Sequence, residues 1–163
     1  MKKGIFELIA VVGLVATSGC TTVGHNPDFS PKKNFDGKLV NGEVIMQCSY
    51  PESCRTFLID VKNKTKSDVD LDWNKSFYIK NGQTDGGLYF DGIIVAQRNA
   101  PRAPDIIFSE MSMRKTVLPN NNLNLSLFPL AHWEVKDLDG KTNGIMLTFR
   151  SGSVEERIKI DFE

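Results

Sequence analysis

The sequence predicts a mainly β protein built as an antiparallel sandwich, and three observations carry that expectation. From Glu43 onward apolar residues recur at alternate positions, turn-forming residues interrupt them repeatedly, and no stretch shows a long helical stripe. A half-buried strand requires this alternation, because successive side chains point to opposite faces of a sheet. Many short strands separated by turns favour two packed antiparallel sheets.

The elements follow in order. Val44, Met46, Cys48 and Tyr50 alternate with Glu43, Ile45, Gln47 and Ser49, and Phe57, Ile59 and Val61 alternate with Leu58, Asp60 and Lys62. With Pro51-Glu52-Ser53 between them, these runs predict a hairpin whose turn is flanked by Cys48 and Cys54. After the turn-like Asn63-Lys64-Thr65-Lys66-Ser67, Val69, Leu71 and Trp73 alternate with Asp68, Asp70 and Asp72. Shorter strands are expected at residues 77–80, 88–90, 93–97, 106–108 and 123–127. Two more, 145–150 and 157–162, flank Ser151-Gly152-Ser153, while Asp139-Gly140 and Asn143-Gly144 break the chain before them. The pattern leaves room for a short helix near residues 109–115 and shows no internal repeat.

At the amino terminus Met1, Lys2 and Lys3 precede a largely apolar run, and Thr17-Ser18-Gly19-Cys20 follows. A positive start, a hydrophobic core and small residues before a cut are the parts of an export signal. The uninterrupted run from Leu8 to Ala16 is too short for a bilayer span, which needs roughly 20 apolar residues. Ser18-Gly19-Cys20 resembles the lipobox of bacterial lipoproteins, with Thr17 where Leu is usual and Glu7 inside the hydrophobic region. The resemblance implies cleavage before Cys20, a diacylglycerol on its thiol and, since Thr21 rather than Asp follows, an outer-membrane address. The alternative is an ordinary secretory signal with a chance cysteine. Residues 21–42 are rich in Asn, Pro, Lys and Gly without a sustained apolar period, so a tether is expected there, with a reach of roughly 25 Å as a coil. The expected organisation is a signal at 1–19, a lipidated Cys20 and tether through 42, and one β domain at 43–163.

Charge narrows the partners. The chain carries 20 basic and 20 acidic residues, and loss of Lys2, Lys3 and Glu7 with the signal leaves 18 and 19, a net charge of −1. Such balance gives no electrostatic steering toward nucleic acid. In an oxidising compartment Cys48 and Cys54 are expected to pair. Zinc is the alternative, but its remaining ligands would have to include His25 or His132, the two histidines of the chain.

Other candidate chemistry has a plainer reading beside it. Asp68, Asp70 and Asp72 suggest calcium, yet an EF-hand loop turns at a sixth-position Gly where Trp73 stands, so a solvated strand face is preferred. Asp137, Asp139 and Asn143 around Gly140 form a second oxygen-rich group that turn formation explains equally. Asn63-Lys64-Thr65, Asn74-Lys75-Ser76 and Asn124-Leu125-Ser126 match glycosylation sequons, which a bacterial lipobox argues against. His132 beside Trp133 reads as a strand residue, because no nucleophile elbow, zinc-protease helix or phosphate loop accompanies it. A carboxylate pair for glycoside cleavage needs only closeness in space, so the sequence leaves that class open. No metal or cofactor is expected.

Val61-Lys62-Asn63-Lys64-Thr65, followed by Val69-Asp70-Leu71-Asp72-Trp73-Asn74, resembles the strand, turn and strand opening of immunoglobulin-like domains in bacterial envelope lipoproteins. The resemblance implies an immunoglobulin-like β-sandwich and carries no functional residues with it. The segment from Arg98 to Asp105 places Arg98 and Arg102 beside two prolines, and a preordered loop with arginine anchors loses little entropy on binding. A plain polar connection between strands is the simpler reading of the same loop. The favoured expectation is a non-enzymatic binding or assembly module at the outer membrane, holding an envelope protein by this loop or by an edge strand. An envelope hydrolase with an unrecognised site is the alternative.

Overall fold

The computed structural model describes residues 27–126 and 132–163, which form strands and short 3-10 turns and no α-helix. In chain order the strands are β1 (Lys32–Asp36), β2 (Val40–Tyr50), β3 (Ser53–Asn63), β4 (Val69–Leu71), β5 (Phe77–Lys80), β6 (Gln83–Tyr89), β7 (Asp105–Ile107), β8 (Ser112–Pro119), β9 (Leu123–Ser126), β10 (His132–Val135), β11 (Asn143–Ser151) and β12 (Val154–Phe162).

Alternation sets the inward faces. Val44, Met46 and Cys48 of β2 and Cys54, Phe57, Ile59 and Val61 of β3 are buried, while their neighbours are partly or fully exposed. The two strands pair antiparallel as the expected hairpin, with Cys48 opposite Cys54 and a disulfide between them. That bond leaves neither thiol for zinc. Gly42 is required here by close approach, since a Cβ would stand 2.0 Å from the Asp60 carbonyl oxygen.

One layer runs β1-β2-β3-β8. The other is organised on β11, which pairs with β12 on one side and, on the other, with β5 along Asn143 to Met146 and β4 at Phe149 and Arg150. A 3-10 turn at Trp73–Lys75 separates β4 from β5, capped where the Asp72 carboxylate accepts from Asn74 N at 3.0 Å. Strand β6 pairs with β5 through Gly87 and then with β8 through Leu88 and Tyr89, so it passes from one layer to the other. The opposite side is an open seam, crossed by the Glu156 carboxylate, which accepts Lys38 N and Leu39 N at 2.6 and 2.8 Å. The protein is therefore mainly β, an antiparallel open β-sandwich.

Phe57, Tyr78 and Phe162 meet in the core, with ring centroids 6.2 Å apart for Phe57 and Tyr78 and 5.9 Å for Phe57 and Phe162. Each such side chain contributes about 1.5–3 kcal/mol by leaving water. The Val61 to Asn74 segment crosses between layers, because β3 pairs with β2 and β8 whereas β4 pairs with β11 and β7.

Several expectations are corrected. The fold begins before Gly42: β1 pairs with β2 along Lys32 to Asp36, and Val40 is fully buried, so polar composition disguised an exposed edge strand as tether. Residues 93–97 form no strand: after Gly92 at φ +95° the chain bends and enters a 3-10 turn at Val95–Gln97. The space left for a helix at 109–115 holds a turn at 109–110 and, from Ser112, the start of β8. Asp68, Asp70 and Asp72 share no strand face, since β4 contains Asp70 alone of the three. Cys20, His25 and Leu127 lie outside the described residues.

Candidate functional site

The loop after β6 is fastened from beneath. Arg102 is half-buried, and its guanidinium donates to the carbonyls of Leu88 and Arg98 and, at 3.5 Å, to Asn120 Oδ1. Asn74 grips the Arg102 backbone from both sides, donating Nδ2 to its carbonyl at 2.6 Å and accepting its N–H at 2.8 Å. Asn120 Nδ2 donates to Arg98 O at 2.8 Å and Asn99 Oδ1 at 3.0 Å. Loss of solvent pulls the Arg102 pKa below the usual arginine value, slightly opposed by Tyr89. Backbone carbonyls at a loop need donors when water is excluded, and Arg102 supplies them.

These contacts redefine the two arginines. Arg102 is spent inside the protein as a staple, so it is not the exposed anchor expected of it. Arg98 is the freer one among the described residues: its guanidinium carbon lies 5.6 Å from the centre of the Trp133 ring on β10, and Nη1 donates to Val95 O at 3.4 Å. Sequence reasoning missed Asn74 and Asn120. The Asn74 amide acts as a substitute strand edge, a role that no local residue pattern announces.

Under the loop, a cleft of about 220 Å³ is lined by Trp73, Asn74, Leu88, Arg98, Pro101 and Asn120 among others. A second, of about 370 Å³, opens between Phe90, Ile93, Ile94 and the Pro101 to Asp105 stretch. The Trp73 and Phe90 rings meet at a 45° tilt with centroids 4.6 Å apart, and cations from the chain itself already lie over them. Lys115 Nζ lies 4.1 Å from the Phe90 ring centre and 5.3 Å from that of Trp73, and Arg102 lies 5.4 Å from Phe90. Lys115 is also paired with Asp105 across β7 and β8.

The acidic candidates are separated. Asp68 accepts from Ser109 N at 3.0 Å, and Asp70 pairs with Arg150 at 3.2 Å. Asp137 meets Arg55 at 2.6 Å, and Asp139 meets Lys80 at 2.6 Å, a hydrogen bond that holds the Asp139 carboxyl below its ordinary pKa. Buried Asn143 accepts the Tyr78 hydroxyl and donates to Gly140 O at 2.9 Å. Among the described residues no group of three or more His, Cys, Asp and Glu side chains is placed to hold a metal ion. His132 opens β10 opposite Ser126.

A different surface stands out at β7. Among the described residues this three-residue strand ends its sheet path and pairs with β4 alone. Ile106 is 54% exposed, Phe108 just beyond it 61% and Met111 60%. No protein-family model, no curated protein and no solved structure matches the chain.

Proposed function

We propose that this protein is a non-enzymatic binding or assembly module of the bacterial envelope, held at the outer membrane by lipid on Cys20. Its binding element is the β7 edge. The observation that carries the reading is the exposure of Ile106 and Phe108 beside a strand with no second neighbour among the described residues. A sheet edge with apolar flanks attracts an extended segment of another protein, whose main chain pairs while alternate side chains pack. Asn63 caps the Ile107 and Phe108 carbonyls, at 2.9 and 3.2 Å, which confines pairing to the Asp105 to Ile106 part of the edge.

The test is a photo-crosslinking side chain at position 106 in whole cells, followed by purification and identification of the adduct. A discrete envelope-protein adduct supports the reading, and its loss in Phe108→Ser would place the second contact. Absence of any adduct at 106, with adducts formed from a control position on another face, would move the binding surface away from β7.

A further inference from the structure

We infer that the end of the sandwich bearing the β2–β3 turn rests on the lipid surface, with Tyr50, Leu125 and Trp133 in the headgroup region. The inference deepens the proposed function and rests on its lipidated Cys20. It is carried by where the chain enters the fold.

The described chain begins at the 3-10 turn Pro27–Phe29, and the next residues are fastened to the far end of β2. Ser30 Oγ accepts from Cys48 N at 3.0 Å, and Pro31 O accepts from Met46 N at 2.9 Å. Tyr50, 69% exposed, lies two residues beyond Cys48. Six residues lie between Cys20 and Pro27, and the seven Cα-to-Cα steps they create reach at most about 25 Å when fully extended. A lipid on Cys20 therefore keeps this end near the membrane. The opposite end, where Asn63 N donates to Met111 O, lies the length of one 11-residue strand away, roughly 35 Å.

The β9–β10 ribbon springs from the same near end. Leu138 N donates to Cys54 O at 2.7 Å and Lys136 N to Asn122 O at 2.9 Å, which fixes the ribbon's base beside the disulfide. Leu125 and Trp133 are directly opposed across the ribbon, so they share a face, and they are 49% and 43% exposed. Cross-strand partners toward the base, Leu123 and Val135, continue that apolar face inward. An aromatic ring with an apolar body and a polar N–H suits the boundary between acyl chains and headgroups. Arg98 over Trp133 adds a cation whose spare donors match a lipid phosphate. The β7 edge then points away from the bilayer, toward a partner.

The experiment uses the chain from Cys20 onward, which contains every residue of the sandwich. With Cys48 and Cys54 paired, Cys20 is the remaining thiol, and a maleimide lipid in vesicles of phosphatidylethanolamine with a minority of phosphatidylglycerol anchors it without cellular processing. Trp73 is buried and its Nε1 makes no hydrogen bond, so Trp73→Phe leaves Trp133 as the single tryptophan reporter at no cost in bonding. The expected result is a blue-shifted Trp133 emission that brominated lipid quenches, with both effects reduced by Tyr50→Ser combined with Leu125→Ser. Trp133 emission that ignores brominated lipid in the anchored, folded chain would overturn this inference alone. Mass spectrometry of envelope-extracted protein showing an unmodified Cys20 would remove the lipidation reading and this inference with it.

Discussion

Asn63 joins the last residue of β3 to the end of β7, donating its amide to Ile107 O at 2.9 Å and to Phe108 O at 3.2 Å. Its Oδ1 meanwhile accepts from Thr65 N at 2.8 Å and Thr65 Oγ1 at 2.9 Å, closing the turn that carries the chain between layers. Asn63 and its bond to Ile107 O are fully buried, so that carbonyl has no water to fall back on, and the part-buried bonds to Phe108 O and Thr65 add to it. Each buried group left without a partner costs about 1–3 kcal/mol. Asn63→Ala is therefore expected to lower stability by about 3 kcal/mol in urea titration at an unchanged slope. A loss below about 1 kcal/mol would mean that the two carbonyls find other donors, contrary to the burial argument.

Arg98 and Arg102 differ in the same terms. Arg102→Ala strips donors from Leu88 O and Arg98 O, so it is expected to destabilise by about 2 kcal/mol and to loosen the loop. Arg98→Ala removes a contact with an exposed ring, and its cost is expected at about 0.5–1 kcal/mol. Thermal unfolding of the two single variants decides the order. Equal midpoints would show that the staple is dispensable.

The contrast between these arginines marks where sequence reasoning stops. Alternating residues located β2, β3, β11 and β12 because most of their inward positions are apolar, with buried Asn63 and Asn143 as the polar exceptions at the strand ends, and the Cys48 and Cys54 pairing is consistent with the same register. Strand β8 was hidden by Lys115, which occupies an inward position and lies over Phe90 and Trp73, so the apolar alternation breaks at that point. The start of β6 had a readable signal in Asn81-Gly82, both at positive φ, a pair suited to a two-residue hairpin. For Arg102 no signal existed: its burial depends on how the loop folds back so that the carbonyls of Leu88 and Arg98 meet its guanidinium. The β7 edge was foreseen as a class of surface, but its exposure is a property of how the layers close.

Tyr78 should make stability depend on alkaline pH. Its hydroxyl donates to Asn143 Oδ1 in the core, and burial chiefly, with the charges of Asp139 and Asp85 adding, pushes its pKa up to about 12 from 10.0. A group whose folded pKa is raised contributes its stability below the unfolded value and loses it as pH climbs through the folded one. Folding therefore loses about 2–3 kcal/mol between pH 10 and pH 12 on account of this side chain. Urea midpoints of wild type and Tyr78→Phe, followed across that window, measure it. The variant should be less stable near neutrality through loss of the Asn143 contact and should show a shallower alkaline decline. Parallel curves would show that Tyr78 does not titrate differently on folding.

The amino-terminal cysteine supplies the last prediction. A diacylglycerol buries its methylenes at about 0.8 kcal/mol each, far more than three partly exposed side chains can gain at a surface. Membrane residence should therefore follow Cys20, with Tyr50, Leu125 and Trp133 setting only how the domain leans. Cys20→Ala is expected to abolish incorporation of a clickable fatty acid and to move the folded protein from the membrane to the soluble fraction. Tyr50→Ser with Leu125→Ser should leave labelling and fractionation unchanged. Label persisting on Cys20→Ala would sink the lipoprotein reading. An unlabelled variant that still sediments with membranes would show instead that a protein partner, most directly one bound at Ile106 and Phe108, holds the domain there.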